Sequence, residues 1–130
     1  MTLRRTVIGE GPMGLPFSQG VLVGQTLYLS GAIGYDPGIG GLVPGGIVPE
    51  TRKAIENLKA VLEKAGMGLE HVVKVTVYLK SMDDYHAFNE VYRTYFSENP
   101  PARETVAVCG LALGASVEMS FIAVKSAYGG

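Results

Sequence analysis

Cysteine is nearly absent: Cys109 stands alone in a chain of 130 residues, so no internal disulfide can form. That fits a reducing compartment. An excess of charge of one sign is missing too, since 11 Lys and Arg stand against 12 Asp and Glu for a net charge of −1. A partner such as nucleic acid or an anionic membrane calls for a basic patch, and no such balance is present. No apolar run approaches the ~20 residues of a membrane helix. Met1 to Gly9 contains Arg4 and Arg5 but no apolar stretch of signal-peptide length. A cytoplasmic protein is therefore expected. His71 and His86 do not stand at metal-ligand spacing, so no metal site is expected.

Nucleotide motifs are also lacking. Gly9-Glu10-Gly11-Pro12-Met13-Gly14 has the letters of a dinucleotide fingerprint, but Pro12 and Pro16 fall where its helix would run. An irregular loop is the better reading. The loop from Tyr35 to Gly46 does not end in Gly-Lys-Ser/Thr, as a phosphate-binding loop would. Ser30 lies outside any GxSxG pattern and has no nearby histidine, which removes the nucleophilic serine of a hydrolase triad.

What is present is a globular composition, 47% hydrophobic and 18% charged. A single domain over residues 1–130 is expected, long enough to bury roughly two thirds of its unfolded surface. Many of the 18 glycines cluster in Gly9–Gly24 and Gly31–Gly46, which makes the first third rich in turns. Arg4 to Ile8 reads as a short strand. Val21-Leu22-Val23 and Thr26 to Ser30, around Gly24-Gln25, read as a hairpin.

Pro49 to Ala65 reads as a helix with a buried stripe of Ala54, Ile55, Leu58, Val61, Leu62 and Ala65, Glu50 at its positive end and Gly66 as a left-handed cap. His71 to Lys80 reads as a strand that buries Val73, Val75, Val77 and Leu79. Met82 to about Phe96 reads as a second helix with a core stripe of Tyr85, Phe88, Val91, Tyr92 and Tyr95. Asn89 lies on or beside that stripe, in reach of a helix-boundary hydrogen bond or of a ligand.

Pro100 and Pro101 close this helix and force an extended entry into a strand, Arg103 to Cys109. Cys109 ends that strand without a basic neighbour and reads as a small core residue. Ser116 to Ser126 is the last strand. Two residues carry chemistry. Arg103 opens a strand and can present its planar fork to a carboxylate, or serve as an ion-pair partner at a surface. Glu118 is the one acid in the apolar run Val117 to Val124, a half-buried carboxylate or an outward strand residue. The order predicts an α+β fold, a mixed sheet of about six strands with two helices packed on one face. The other face has apolar residues and no helix left to cover it, which favours self-association.

Several pieces together resemble the RidA/YjgF family of small enamine/imine deaminases. They are Leu15 to Gly20, Ser30 to Asp36, Val72 to Leu79, Asn89 to Tyr92, Pro100 to Arg103, and Val117-Glu118-Met119. The resemblance covers nearly the whole chain. It implies a chorismate-mutase-like fold and a homotrimer with clefts between subunits. It implies hydrolysis of 2-imino acids such as 2-iminobutanoate and 2-iminopropanoate to 2-keto acids and ammonia, without a cofactor. In the family, the residue at Arg103 binds the substrate carboxylate, the one at Glu118 helps hold the water, and the backbone at Thr105 meets the imino nitrogen. Phe17, Ser30, Gly31 and Asn89 match residues that line the cleft. Three positions depart from the common pattern: Phe17 replaces a frequent tyrosine, Glu104 a small residue, and Thr105 a cysteine found in some members. On a regular strand Glu104 points away from Arg103. The alternative these departures leave open is a non-catalytic member that binds small carboxylates.

Overall fold

The computed structural model describes residues 4–127. Eight strands and two helices follow in chain order: β1 Arg5–Glu10, β2 Ser18–Val23, β3 Thr26–Leu29, β4 Tyr35–Asp36, β5 Gly41–Leu42, α1 Ile47–Lys64, β6 Val72–Leu79, α2 Tyr85–Tyr95, β7 Ala102–Ala107 and β8 Val117–Val124. Six strands form one mixed sheet in the order β1-β2-β3-β8-β6-β7, and β4 and β5 form a separate two-stranded ribbon. The expected α+β architecture is the observed one.

The hairpin β2–β3 turns on Gly24-Gln25, with Gly24 at φ +60°. α2 carries the chain from β6 to β7, which run parallel as a crossover helix requires. β8 then enters the middle of the sheet, antiparallel to both β6 and β3. Both helices lie on one face. They bury Ala54, Ile55, Leu58, Val61 and Leu62 of α1 and Phe88, Val91 and Tyr92 of α2 above Leu27, Val75, Val77, Met119, Phe121 and Ala123 of the sheet.

Four local readings change. α1 begins at Ile47 on Gly46, not at Pro49, because a proline anywhere in the first turn costs no intrahelical bond. β6 is bulged between Val72 and Lys74, so Val72 is buried and Val73 exposed, the reverse of strict alternation. α2 begins at Tyr85 after a 3₁₀ turn, Met82–Asp84, which Ser81 caps by accepting from the Asp83 N–H at 3.1 Å. Cys109 is exposed and not in the core, because β7 ends at Ala107 and Cys109 falls in the following bend.

The second face of the sheet carries Val7 (56% exposed), Tyr28 (51%) and Val106 (44%) without a covering element. The Lys74–Glu104 pair, at 2.7 Å, lies on this face and holds the Glu104 carboxyl below its usual range, first through the hydrogen bond and then through the charge of Lys74. Glu104 therefore faces away from Arg103, as the strand alternation predicts.

Candidate active site

The site residues expected from the sequence fall into two groups, with Arg103 and Glu118 on opposite faces of the sheet. The pairing register shows why. Val75 of β6 is opposite both Arg103 of β7 and Phe121 of β8, and Val75 and Phe121 are buried beneath the helices. Tyr78 is opposite Val106 and Glu118. Arg103 thus shares the helix-covered face, whereas Glu118 shares the uncovered one, with β6 between their strands.

The first group is a cleft of about 570 Å³ that contains Phe17, Ser30, Gly31 and Glu118. Its walls are mostly apolar and include Leu15 and Ile33 together with Leu58, Ala60 and Val61 of α1, so the cleft extends from Glu118 to the first helix. Ser30 donates to the Ser18 carbonyl at 2.6 Å, which ties the end of β3 to the start of β2. Ala32 and Met119 exchange both backbone bonds, at 2.8 and 3.0 Å, and so bring Gly31 alongside Glu118. A Cβ at Gly31 would collide with the Glu118 carboxyl, so any larger residue there would push that side chain from its place. Burial pushes the Glu118 carboxyl above its ordinary value, because its charged form is poorly solvated.

The second group contains Arg103, Asn89 and Thr105. The Arg103 guanidinium lies over the rings of Tyr92, Phe88 and Tyr85, at 4.8, 5.4 and 5.8 Å from their centroids. Its Nη2 donates to the Tyr85 hydroxyl at 3.3 Å. Among the described residues it forms no ion pair with a carboxylate. Burial, partly opposed by Arg103, pushes the Tyr92 phenol up to about 12, so the ring beneath the guanidinium stays neutral. Asn89 is one turn beyond Tyr85, on the same side of α2. Thr105 is two residues beyond Arg103 on the same side of β7, with its hydroxyl buried and unpartnered.

Three contributors escaped the sequence reading. Phe88 and Tyr92 were legible as core positions, whereas Tyr85, expected beside them in the core, is exposed at the helix start; none was legible as the support of a guanidinium. Leu15 and Met13 line the cleft from a loop whose shape no periodicity encodes. Glu50 stands in the first turn of its helix, as its sequence indicates, but is also buried against Ser116. Among the described residues no group of His, Cys, Asp and Glu is arranged to hold a metal ion.

The model of the family described as Endoribonuclease L-PSP matches residues 12–125. A mouse protein named 2-iminobutanoate/2-iminopropanoate deaminase is 45% identical over 113 residues, 87% of this chain and 84% of its own. The crystal structure of the Escherichia coli YjgF gene product superposes with a TM-score of 0.84 at 31% identity, covering 92% of this chain and 98% of that one. E. coli TdcF, solved with bound serine, gives 0.82 at 33% identity, covering 92% and 94%. With the family model matched over residues 12–125 and a mixed six-stranded sheet shared with these structures, the chain belongs to the Endoribonuclease L-PSP, or RidA/YjgF, family.

Proposed function

We propose that the protein hydrolyses 2-imino acids, such as 2-iminobutanoate and 2-iminopropanoate, to 2-keto acids and ammonia. Each cleft would be built by two copies of the chain, in a homotrimer. The observation that carries this reading is the separation of Arg103 and Glu118. A small substrate gripped by one cannot also meet the other across the sheet, whereas a second copy seated on the uncovered face can supply the missing half. The name of the mouse relative supports the reaction, and the serine bound to TdcF supports a small carboxylate ligand.

In this arrangement Arg103 of one copy holds the substrate carboxylate through two parallel N–H donors, and its aromatic bed keeps the fork in place. Glu118 of the neighbouring copy orients a water against the imine carbon and accepts a proton as the oxygen attacks. The tetrahedral carbinolamine takes that proton on nitrogen. Glu118 then carries the hydroxyl proton to the amine nitrogen as the C–N bond breaks, so that ammonia leaves and the carbonyl of the 2-keto acid forms. A carboxyl raised by burial suits both halves of this shuttle. Phe17, Ser30 and Gly31 shape the wall beside Glu118, and Asn89 and the Thr105 backbone border the arginine. The family description names an endoribonuclease, but a net charge of −1 favours a small-molecule reaction over RNA. The lone cysteine fits a cytoplasmic setting.

The test is a coupled assay in which a threonine dehydratase generates 2-iminobutanoate. Arg103→Ala and Glu118→Gln should each lose about a hundredfold or more in kcat/KM, the scale of a lost charge-assisted contact of ~3 kcal/mol. Refolded as an equal mixture, the two inactive variants should recover about a quarter of wild-type activity, because that share of sites pairs an intact arginine with an intact glutamate from a neighbour. No recovery on mixing defeats the shared cleft. Saturable ketobutyrate binding without faster ketobutyrate release would make the protein a carboxylate binder instead.

A further inference from the structure

We infer that Glu50 is a positioning residue, whose buried carboxylate holds the Glu118 wall of the cleft in register with the Gly31 wall. The inference rests on the catalytic reading of that cleft. Glu50 lies in the first turn of α1, where an acid ordinarily sits at the surface and complements the helix dipole. Here it is 5% exposed. Its Oε1 accepts from the Ser116 backbone N–H at 2.8 Å, and its Oε2 accepts from the Ser116 hydroxyl at 3.1 Å. Ser116 is itself buried and stands two residues before Glu118, at the entry to β8.

The same residue meets the opposite wall through its backbone. A Cβ on Gly34 would come to 2.8 Å from the Glu50 Cα and 2.9 Å from its carbonyl oxygen, so the segment leaving Gly31 lies directly on the first turn of α1. The Gly34 carbonyl accepts from the Val43 N–H at 3.0 Å, which keeps that segment in place. Gly31 and Glu118 are thus aligned at two points, the Ala32–Met119 bridge and the Gly34–Glu50–Ser116 clamp. Only the second runs through a side chain. Removing that side chain leaves a buried N–H at Ser116 without a partner, which favours fraying of the strand entry next to Glu118.

Glutamine can reproduce the clamp. Its amide oxygen accepts from the Ser116 N–H, and its NH₂ donates to a hydroxyl that rotates to receive it. Alanine cannot. The experiment follows the Glu118 carboxyl by ¹³C NMR titration, alongside kcat and KM on 2-iminobutanoate, in wild type, Glu50→Gln, Glu50→Ala and a control, Leu62→Ala, at the other end of α1. Glu50→Ala should let the Glu118 titration fall toward that of an ordinary glutamate and lower kcat about tenfold with KM little changed, the behaviour of a misplaced group. Glu50→Gln should keep both near wild type. Leu62→Ala should lose thermal stability and leave the Glu118 titration alone. If Glu50→Ala does not fold, Ser116→Ala, which breaks the hydroxyl bond alone, should shift the titration in the same direction by less.

An unchanged Glu118 titration in a folded Glu50→Ala, or the same shift in Leu62→Ala, overturns the inference. Should wild type fail to turn over the imine, the proposed reaction falls, while the titration still decides what Glu50 does.

Discussion

Glu118 brings an energetic cost wherever its carboxyl is ionised. Its folded pKa lies above its unfolded one, so its protonated form is the one the fold favours. Its contribution to stability is complete below the unfolded carboxylate pKa and is lost as pH rises through the raised folded value. Glu118→Gln should therefore melt higher than wild type at pH 7, and the gap should close as the pH is lowered below the carboxylate range; melting curves across that range check this. The acid limb of kcat should likewise lie above that of an ordinary glutamate. Gly31→Ala should fold but lose most turnover, because its methyl occupies the place of the Glu118 carboxyl. Circular dichroism together with the coupled assay separates these two effects. Glu118 stood out because it interrupts an apolar strand, and Arg103 because it opens a strand directly after two prolines. Cys109 was misread as a core residue, and the burial of Glu50, correctly placed in a helix's first turn, was not foreseen. One stands just past a strand's last pairing and the other at a helix's first turn, and burial at such ends is decided by distant partners such as Ser116, not by local pattern.

The elements were mostly legible, because each follows one period and ends on one signal. Gly66 shows how strong such a signal is. At φ +75° it lets its own N–H reach the Glu63 carbonyl at 3.0 Å and lets the Met67 N–H reach Leu62 at 2.9 Å, closing α1 with both bonds of a Schellman motif over the buried Met67. Gly66→Ala should lower stability by about 1 kcal/mol, read from chemical denaturation, since alanine pays for the left-handed backbone. The bulge in β6 and the ribbon β4–β5 were not legible. Each depends on pairing across the chain, β6 against β8 and Tyr35 against Leu42, and alternation within a segment cannot report a partner's register. The stripe Tyr85, Phe88 and Tyr92 was found as a pattern, but its companion, Arg103 on β7, comes from another segment.

On the scale of the whole molecule, the uncovered sheet face decides the behaviour. Tyr28 lies near its middle, opposite Val21 and Ile122. Tyr28→Arg should dissociate the proposed trimer, as read by light scattering, and abolish turnover while leaving the far-ultraviolet spectrum of the fold intact. Sequence alone could announce that this face needed a partner. It could not say that Glu118 lies on this face and Arg103 on the other, since that follows from the register of β7 and β8 on β6. The same order leaves β7 at one rim of the sheet, with its outer backbone groups unpaired within the chain. Such a rim is a template on which a stranger's strand can dock and from which fibrils can grow. Pro100 and Pro101 cut that template short at its beginning, because neither ring nitrogen can donate to a neighbouring strand. The prolines that lead into the Arg103 strand thus also limit strand addition at this rim.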